Sequence, residues 1–224
     1  TLQTTYDTLT PELQQHYEQW ESTQQAAALT PAWTPLQFAQ RSAAGGTTLE
    51  DKEQGVYLAQ GANPDQTVYT LSTATFPAAM TGLRLEAIPH PKLPGKGSGR
   101  AGNGNFVVTE VKARLMRPDG SVAEELAFSQ ASASFEQTLA NEHHPDKKWS
   151  AASAIDGDQR GANFGWAVLP QVAETQQLWL TFAKPVPTIA DTLLVIELHQ
   201  NHGAGHHTLG QFRLSGTTLK VAVE

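Results

Sequence analysis

Period-two alternation is the feature that most constrains this chain. Short runs alternate apolar with polar residues, and Gly, Pro, Asn or Asp separate them. Successive side chains of a strand point to opposite faces, so such runs read as half-buried strands. "GLRLEAI" sets Leu83, Leu85 and Ala87 on one face and Arg84 and Glu86 on the other. "NFVVTEVKARLMR" sets Val107, Thr109, Val111, Ala113 and Leu115 opposite Glu110, Lys112 and Arg114. "VYTLSTATF" places Val68, Thr70, Ser72, Ala74 and Phe76 on one side. "RPDGS" at 117–121 is a turn by composition. "GWAVLP", "QLWLTFAKPV", "TLLVIELHQ" and "LGQFRLSGTTLKVAVE" continue the series. Together the runs predict about eight to ten strands and an all-β, antiparallel sandwich or barrel.

One segment breaks the pattern. Thr10-Pro11-Glu12 is a helix start, with a cap, a proline suited to the first turn and an acid that favours the dipole. Leu13, Tyr17 and Trp20 share a face, and Thr30-Pro31 ends the run. The spacing predicts one amphipathic helix over Thr10–Leu29. Its narrow stripe suits docking on a neighbouring domain better than building a core. The expected organisation is a helical linker over residues 1–32 and a β-sandwich over 33–224.

With 224 residues and no cysteine, the chain can bury a core without staples and offers neither thiol catalysis nor cysteine–zinc sites. A net charge of -7 argues against gripping nucleic-acid phosphates. No apolar run approaches the ~20 residues of a membrane span, so no membrane insertion is expected. No signal peptide is visible, and the chain begins at Thr1, which reads as a fragment of a longer protein.

Several segments could carry chemistry. "PHPKLPGKGSGRAGNGN" (Pro89–Asn105) is a long glycine- and proline-rich loop. Its Gly97-x-Gly99-x-x-Gly102 spacing is followed by a strand, whereas a dinucleotide fingerprint opens a helix. Asn103 and Asn105 can stitch the loop through their amides, and the alternative is contact with calcium or a sugar. Arg100 offers five donors in a fixed fork. Exposed, it could grip sugar hydroxyls, a uronate or a sulfate. Buried, it would need a carboxylate such as Asp156 or Glu110.

"HHPDKKWSAASAIDGDQRGANFGWAV" (His143–Val168) holds two tryptophans. Trp166 reads as core. Trp149 reads either as core or as a loop-tip indole for stacking on a sugar ring. His199, His202, His206 and His207 crowd "ELHQNHGAGHHTLGQF", without the helical HExxH pattern. They could bind a metal, hydrogen-bond sugar hydroxyls, or line a wet loop. Glu86, Glu110, Asp156 and Glu197 lie on or beside strands, but nothing pairs them for hydrolysis and no G-x-S-x-G elbow is present. No enzyme is expected.

Three segments, "LPGKGSGRAGNGNFVVTEVKA", "SAASAIDGDQRGANFGWAV" and "LHQNHGAGHHTLGQFRLS", occur in that order. The series resembles a module of large planctomycete surface proteins that also carry a cytochrome-c-like region and planctomycete-specific domains of unknown function. That module is similar to the galactose-binding-like, or discoidin-type, sandwich. The "AxxAIDG…W" element from Ala151 to Trp166 carries the likeness. The resemblance covers Leu83 to Ser215, and weakly reaches back through Leu58 to Trp33. It implies an eight-stranded jelly roll, often with a structural calcium, and a carbohydrate site without catalysis among loops at one end. Arg100, Asn103, Asn105, His207 and Arg213 fall at recurring motif positions. The expected ligand residues are Arg100, Asn103, Asn105, Trp149, His202, His206 and His207. The expected partners are a polysaccharide and neighbouring domains of a parent protein, at an extracytoplasmic or cell-surface location.

Overall fold

The computed structural model describes residues 14–17, 32–137, 149–161, 164–203, 205–219 and 221. The chain divides into two units, Thr1–Ala32 and Trp33–Glu224. In the first, residues 14–17 are helical. The rest of the expected Thr10–Leu29 helix lies outside the described residues, as do 143–148.

Twelve strands form the second unit among the described residues. They are β1 (Thr34–Pro35), β2 (Gln40–Ala43), β3 (Thr47–Asp51), β4 (Val56–Gly61), β5 (Thr67–Thr73) and β6 (Gly82–Ala87), then β7 (Glu110–Met116), β8 (Val122–Leu126), β9 (Phe128–Ala133), β10 (Gln176–Phe182), β11 (Leu193–Gln200) and β12 (Gln211–Thr217). One sheet has seven strands in the order β3-β4-β12-β6-β10-β9, with β1 also on β12, and the other has five in the order β2-β5-β11-β7-β8. Every pairing is antiparallel. The protein is an antiparallel all-β sandwich.

Alternation decides which side chains fill it. Leu83 and Leu85 on β6, Leu178 and Leu180 on β10, and Phe212 and Leu214 on β12 are fully buried from one sheet. Tyr69 and Leu71 on β5, Leu115 on β7, and Leu194, Ile196 and Leu198 on β11 meet them from the other. On β5 the core set is therefore Tyr69 and Leu71, while Val68 and Thr70 are half-buried on the outer side. Tyr69 stacks on Phe212 with ring centroids 5.8 Å apart, joining the sheets, and donates its hydroxyl to the Leu209 carbonyl at 2.8 Å. Trp166 is core as expected. Its ring is fully buried edge-on to Phe106 at 5.0 Å, and its indole N–H donates to the Phe135 carbonyl at 3.0 Å.

Two long connections create the surface that matters. Because β7 and β11 are antiparallel neighbours, the loop entering β7 and the loop leaving β11 meet at one end of the sandwich. The amide of Thr109 donates to the His199 carbonyl at 2.8 Å, and that of Val107 to the His207 carbonyl at 3.0 Å.

Candidate functional site

The glycine-rich loop is locked by its own backbone and by amide side chains. A Cβ at Gly99 would fall 2.0 Å from the Asn105 carbonyl oxygen, so two backbone segments touch where only glycine fits. The Asn103 side-chain oxygen accepts from the Asn105 amide at 3.1 Å, an Asx-type turn. Asn105 is buried, and both ends of its amide are used. Its Nδ2 donates to Gln137 Oε1 at 3.0 Å, and its Oδ1 accepts from the Val168 amide at 3.1 Å. Of the two readings of these asparagines, stitching is the one their bonds describe.

Half-buried, Arg100 pairs with no carboxylate among the described residues, and its fork serves internal bonds. Its Nη2 donates to the Gly61 carbonyl at 2.8 Å and its Nη1 to the Ala62 carbonyl at 2.9 Å, at the end of β4. The fork thus ties the loop to the β3–β4 hairpin. Asn63 completes the tie. Its Nδ2 donates to the Arg100 carbonyl at 3.0 Å, and its Oδ1 accepts from the Thr208 hydroxyl at 2.6 Å. The glycine-rich and histidine-rich loops are therefore one hydrogen-bonded unit.

The four clustered histidines disperse. His199 is buried on the outer face of β11, 3.1 Å from Glu197, which also binds Arg114. Burial pushes the His199 pKa down despite Glu197. For Glu197, burial works upward, but the Arg114 hydrogen bond and charge overcome it and hold the carboxyl low. His206 is exposed and turns to Asp65 at 3.3 Å. His202 and His207 go elsewhere, their rings meeting edge-to-face at 5.6 Å.

These two join an aromatic cluster. Trp149 is half-buried and stacks on Phe164 with centroids 4.1 Å apart and planes 12° from parallel. The His202 ring stands edge-on to Trp149 at 5.0 Å and to Phe164 at 6.1 Å. Burial, then the His207 charge, push the His202 pKa down, so this imidazole is neutral near pH 7 and can both donate and accept. The structure thus brings together Trp149, His202 and His207 from the expected set, places His206 beside Asp65, and gives Arg100, Asn103 and Asn105 internal bonds.

No protein-family model, curated protein or solved structure matches the chain.

Sequence reasoning missed Phe164 and Asn63. Phe164 has φ of 74°, and its ring stacks on Trp149, while the following "GWAV" forms no strand but a single bridge between Trp166 and Val108. Nothing in "GANFGWAV" separates its role from that of Trp166. Asn63 sits in "GANPDQ", which reads only as a turn.

The acidic residues also find their places. Glu86 is buried and held by Arg213 and Arg84. Glu110 is buried, its Oε2 accepting from the Gly157 amide at 3.0 Å. Burial raises its pKa to about 7, against the backbone hydrogen bond and Lys112 and with help from Asp156 and Asp158. Glu110, Asp156, Lys112, Arg114 and Glu125 share a cleft of about 440 Å³. The Asp156 and Asp158 carboxylates accept from the amides of Asp158 and Arg160 in consecutive Asx turns. Among the described residues no three His, Asp or Glu side chains are grouped so that they could hold a metal ion.

Proposed function

We propose that the Trp33–Glu224 unit is a non-catalytic carbohydrate-binding module that holds a polysaccharide through loops at one end of its sandwich. The reading rests on one observation, the Trp149–Phe164 stack flanked by the His202 and His207 imidazoles. A rigid indole offers area for the C–H face of a sugar ring at low entropic cost. Imidazoles beside it supply ring nitrogens that hydrogen-bond hydroxyls. The Arg100–Asn63–Thr208 ties hold the supporting loops in place before any ligand arrives, which reduces the ordering cost of binding. Glu110 is read as a loop anchor and not as an acid catalyst, because its Oε2 is committed to the Gly157 amide. The resemblance supports a place within a larger extracytoplasmic protein, with neighbouring domains as further partners.

Affinity electrophoresis through neutral, uronate-rich and sulfated glycans, with calcium and with chelator, tests the reading. Retardation by one glycan class is expected, in the micromolar-to-millimolar range of a shallow, wet site. Trp149→Ala should weaken it by about tenfold or more, the loss of one well-packed aromatic contact. Unchanged retardation in that variant overturns the assigned site. A second reading, a docking or scaffold domain with no small ligand, draws on the internal bonds of Arg100 and Asn105. Absence of retardation by every glycan would favour it.

A further inference from the structure

The outer face of the seven-stranded sheet carries a second, independent constellation. Arg84 and Glu86 project outward from β6 because Leu83 and Leu85 fill the core. Arg213 lies across from Glu86 on β12, and Trp179 lies across from Arg84 on β10. Directly opposed residues share a sheet face with Cβ atoms about 5 Å apart. From the other side Trp33, just ahead of β1, brings its ring over Arg84, 5.0 Å from the guanidinium carbon. The row Trp33–Arg84–Trp179 therefore sets one cation between two half-buried indoles.

The charges in this row do not cancel. Arg213 binds Glu86 through two nitrogens at 2.7 and 3.0 Å, and Arg84 binds the same carboxylate at 3.1 Å. Two guanidinium groups share one buried carboxylate, a surplus of one positive charge. Arg84 is only 16% exposed at its side chain, and its Nε is buried without a hydrogen-bond partner among the described residues. Among the described residues the charges acting on Arg84 are Glu86 and Arg213, and the guanidinium is destabilised by burial first and by Arg213 as well. A partly buried, under-neutralised guanidinium is costly, and an incoming oxyanion removes the cost. The surplus is local, since the chain as a whole carries -7.

We propose that this face is a binding platform for an acidic polysaccharide, whose uronate carboxylate or sulfate ester neutralises Arg84 while its sugar rings lie against Trp33 and Trp179. The chemistry is that of an oxyanion on a sugar ring. The platform lies on a sheet face and the Trp149 cluster on loops, so either can fail alone.

The test is affinity electrophoresis of the full chain through polygalacturonate, a sulfated galactan and a neutral galactan, at low and high salt. Retardation by one or both acidic glycans at low salt is expected, with most of it lost at high salt. The two acidic arms tell carboxylate from sulfate. Arg84→Met keeps the Arg213–Glu86 pair and should abolish acidic-glycan retardation, whereas Arg84→Lys should retain part of it. Trp33→Ala and Trp179→Ala should each weaken it about tenfold, and its salt-sensitive part should persist in Trp149→Ala. Urea midpoints select the variants that remain folded. No retardation by either acidic glycan overturns the platform. So does retardation that survives Arg84→Met and Trp179→Ala, or that disappears only with Trp149→Ala. If Trp149→Ala leaves the retardation by every glycan unchanged, the loop-end site is refuted and the platform stands.

Discussion

At the scale of single residues, the informative groups are buried polar side chains whose partners are known. Asn105 sits at the end of the glycine-rich loop, ahead of β7, and it satisfies Gln137 on one side and the Val168 amide on the other. Asn105→Ala removes both bonds and leaves a buried amide N–H without an acceptor, which costs about 1–3 kcal/mol. Urea denaturation should show that loss, while Asn103→Ala, at an exposed position making a local turn bond, should show much less. Glu110 makes a different prediction. Its folded pKa, near 7, lies above its ordinary value of 4.5, so the native state binds more protons than the unfolded state between those two pH values. Stability therefore falls as pH rises from about 4.5 to 7 and changes no further through this group, a loss on the order of 3 kcal/mol. Glu110→Gln keeps an oxygen for the Gly157 amide and carries no charge. The variant should lose this fall, so denaturation midpoints at pH 5 and pH 8 should lie closer together than in the parent. Equal spacing in both proteins would show that Glu110 ionises without cost.

At the scale of elements, the glycine-rich loop behaves as a strut. Arg100 caps the last carbonyls of β4, and its own amide donates to the Thr208 carbonyl at 2.8 Å, so one residue connects the β3–β4 hairpin to the histidine-rich loop. Arg100→Ala should cost about 1–3 kcal/mol through the carbonyls it abandons. The effect should be local. Amide exchange at Ala62, which donates to Gly46 at 3.2 Å across the hairpin, should accelerate, while exchange within β11 stays unchanged. Strands of this kind were legible in the sequence because alternation follows directly from burial on one face. β6, β7, β10, β11 and β12 fall where the runs place them. Legibility ended where contacts depend on topology. Four histidines adjacent in sequence point to three environments, since a strand end and a tight turn rotate successive side chains apart. Trp33 and Trp179 are far apart in sequence and flank Arg84 only because β1 and β10 lie on opposite sides of the β12–β6 pair. The meeting of the glycine-rich and histidine-rich loops follows from the pairing of β7 with β11, which alternation does not specify. The role of Phe164 was not legible either, since a left-handed backbone angle leaves no mark in "NFG".

At the scale of the whole molecule, the question is which part of the chain holds the fold. Among the described residues, every member of the buried cluster lies at or after Leu36, and the two sheets close on one another through Tyr57, Tyr69 and Phe212. A core of this size is amply above what a chain of that length needs to fold without staples. The division at Ala32 falls just ahead of β1, whose pairing with β12 is part of the seven-stranded sheet. Removing residues 1–32 should therefore cost the sandwich little. Expressed alone, Trp33–Glu224 should unfold in one cooperative transition, with a midpoint within a few degrees of that of the full chain, since about 1 kcal/mol moves the midpoint of a domain this size by roughly 2–4 °C. Cutting three residues further in, after Pro35, removes Trp33 and both residues of β1. That leaves Ser215 and Gly216 on β12 without their β1 partners, and the midpoint should drop by clearly more than in the first fragment. Calorimetry on the two fragments separates the cases. A large loss already in the first would mean that residues 1–32 contribute to the stability of the sandwich. A loss confined to the second would place the boundary of the cooperative unit at Trp33, the residue that also forms one end of the indole–guanidinium row.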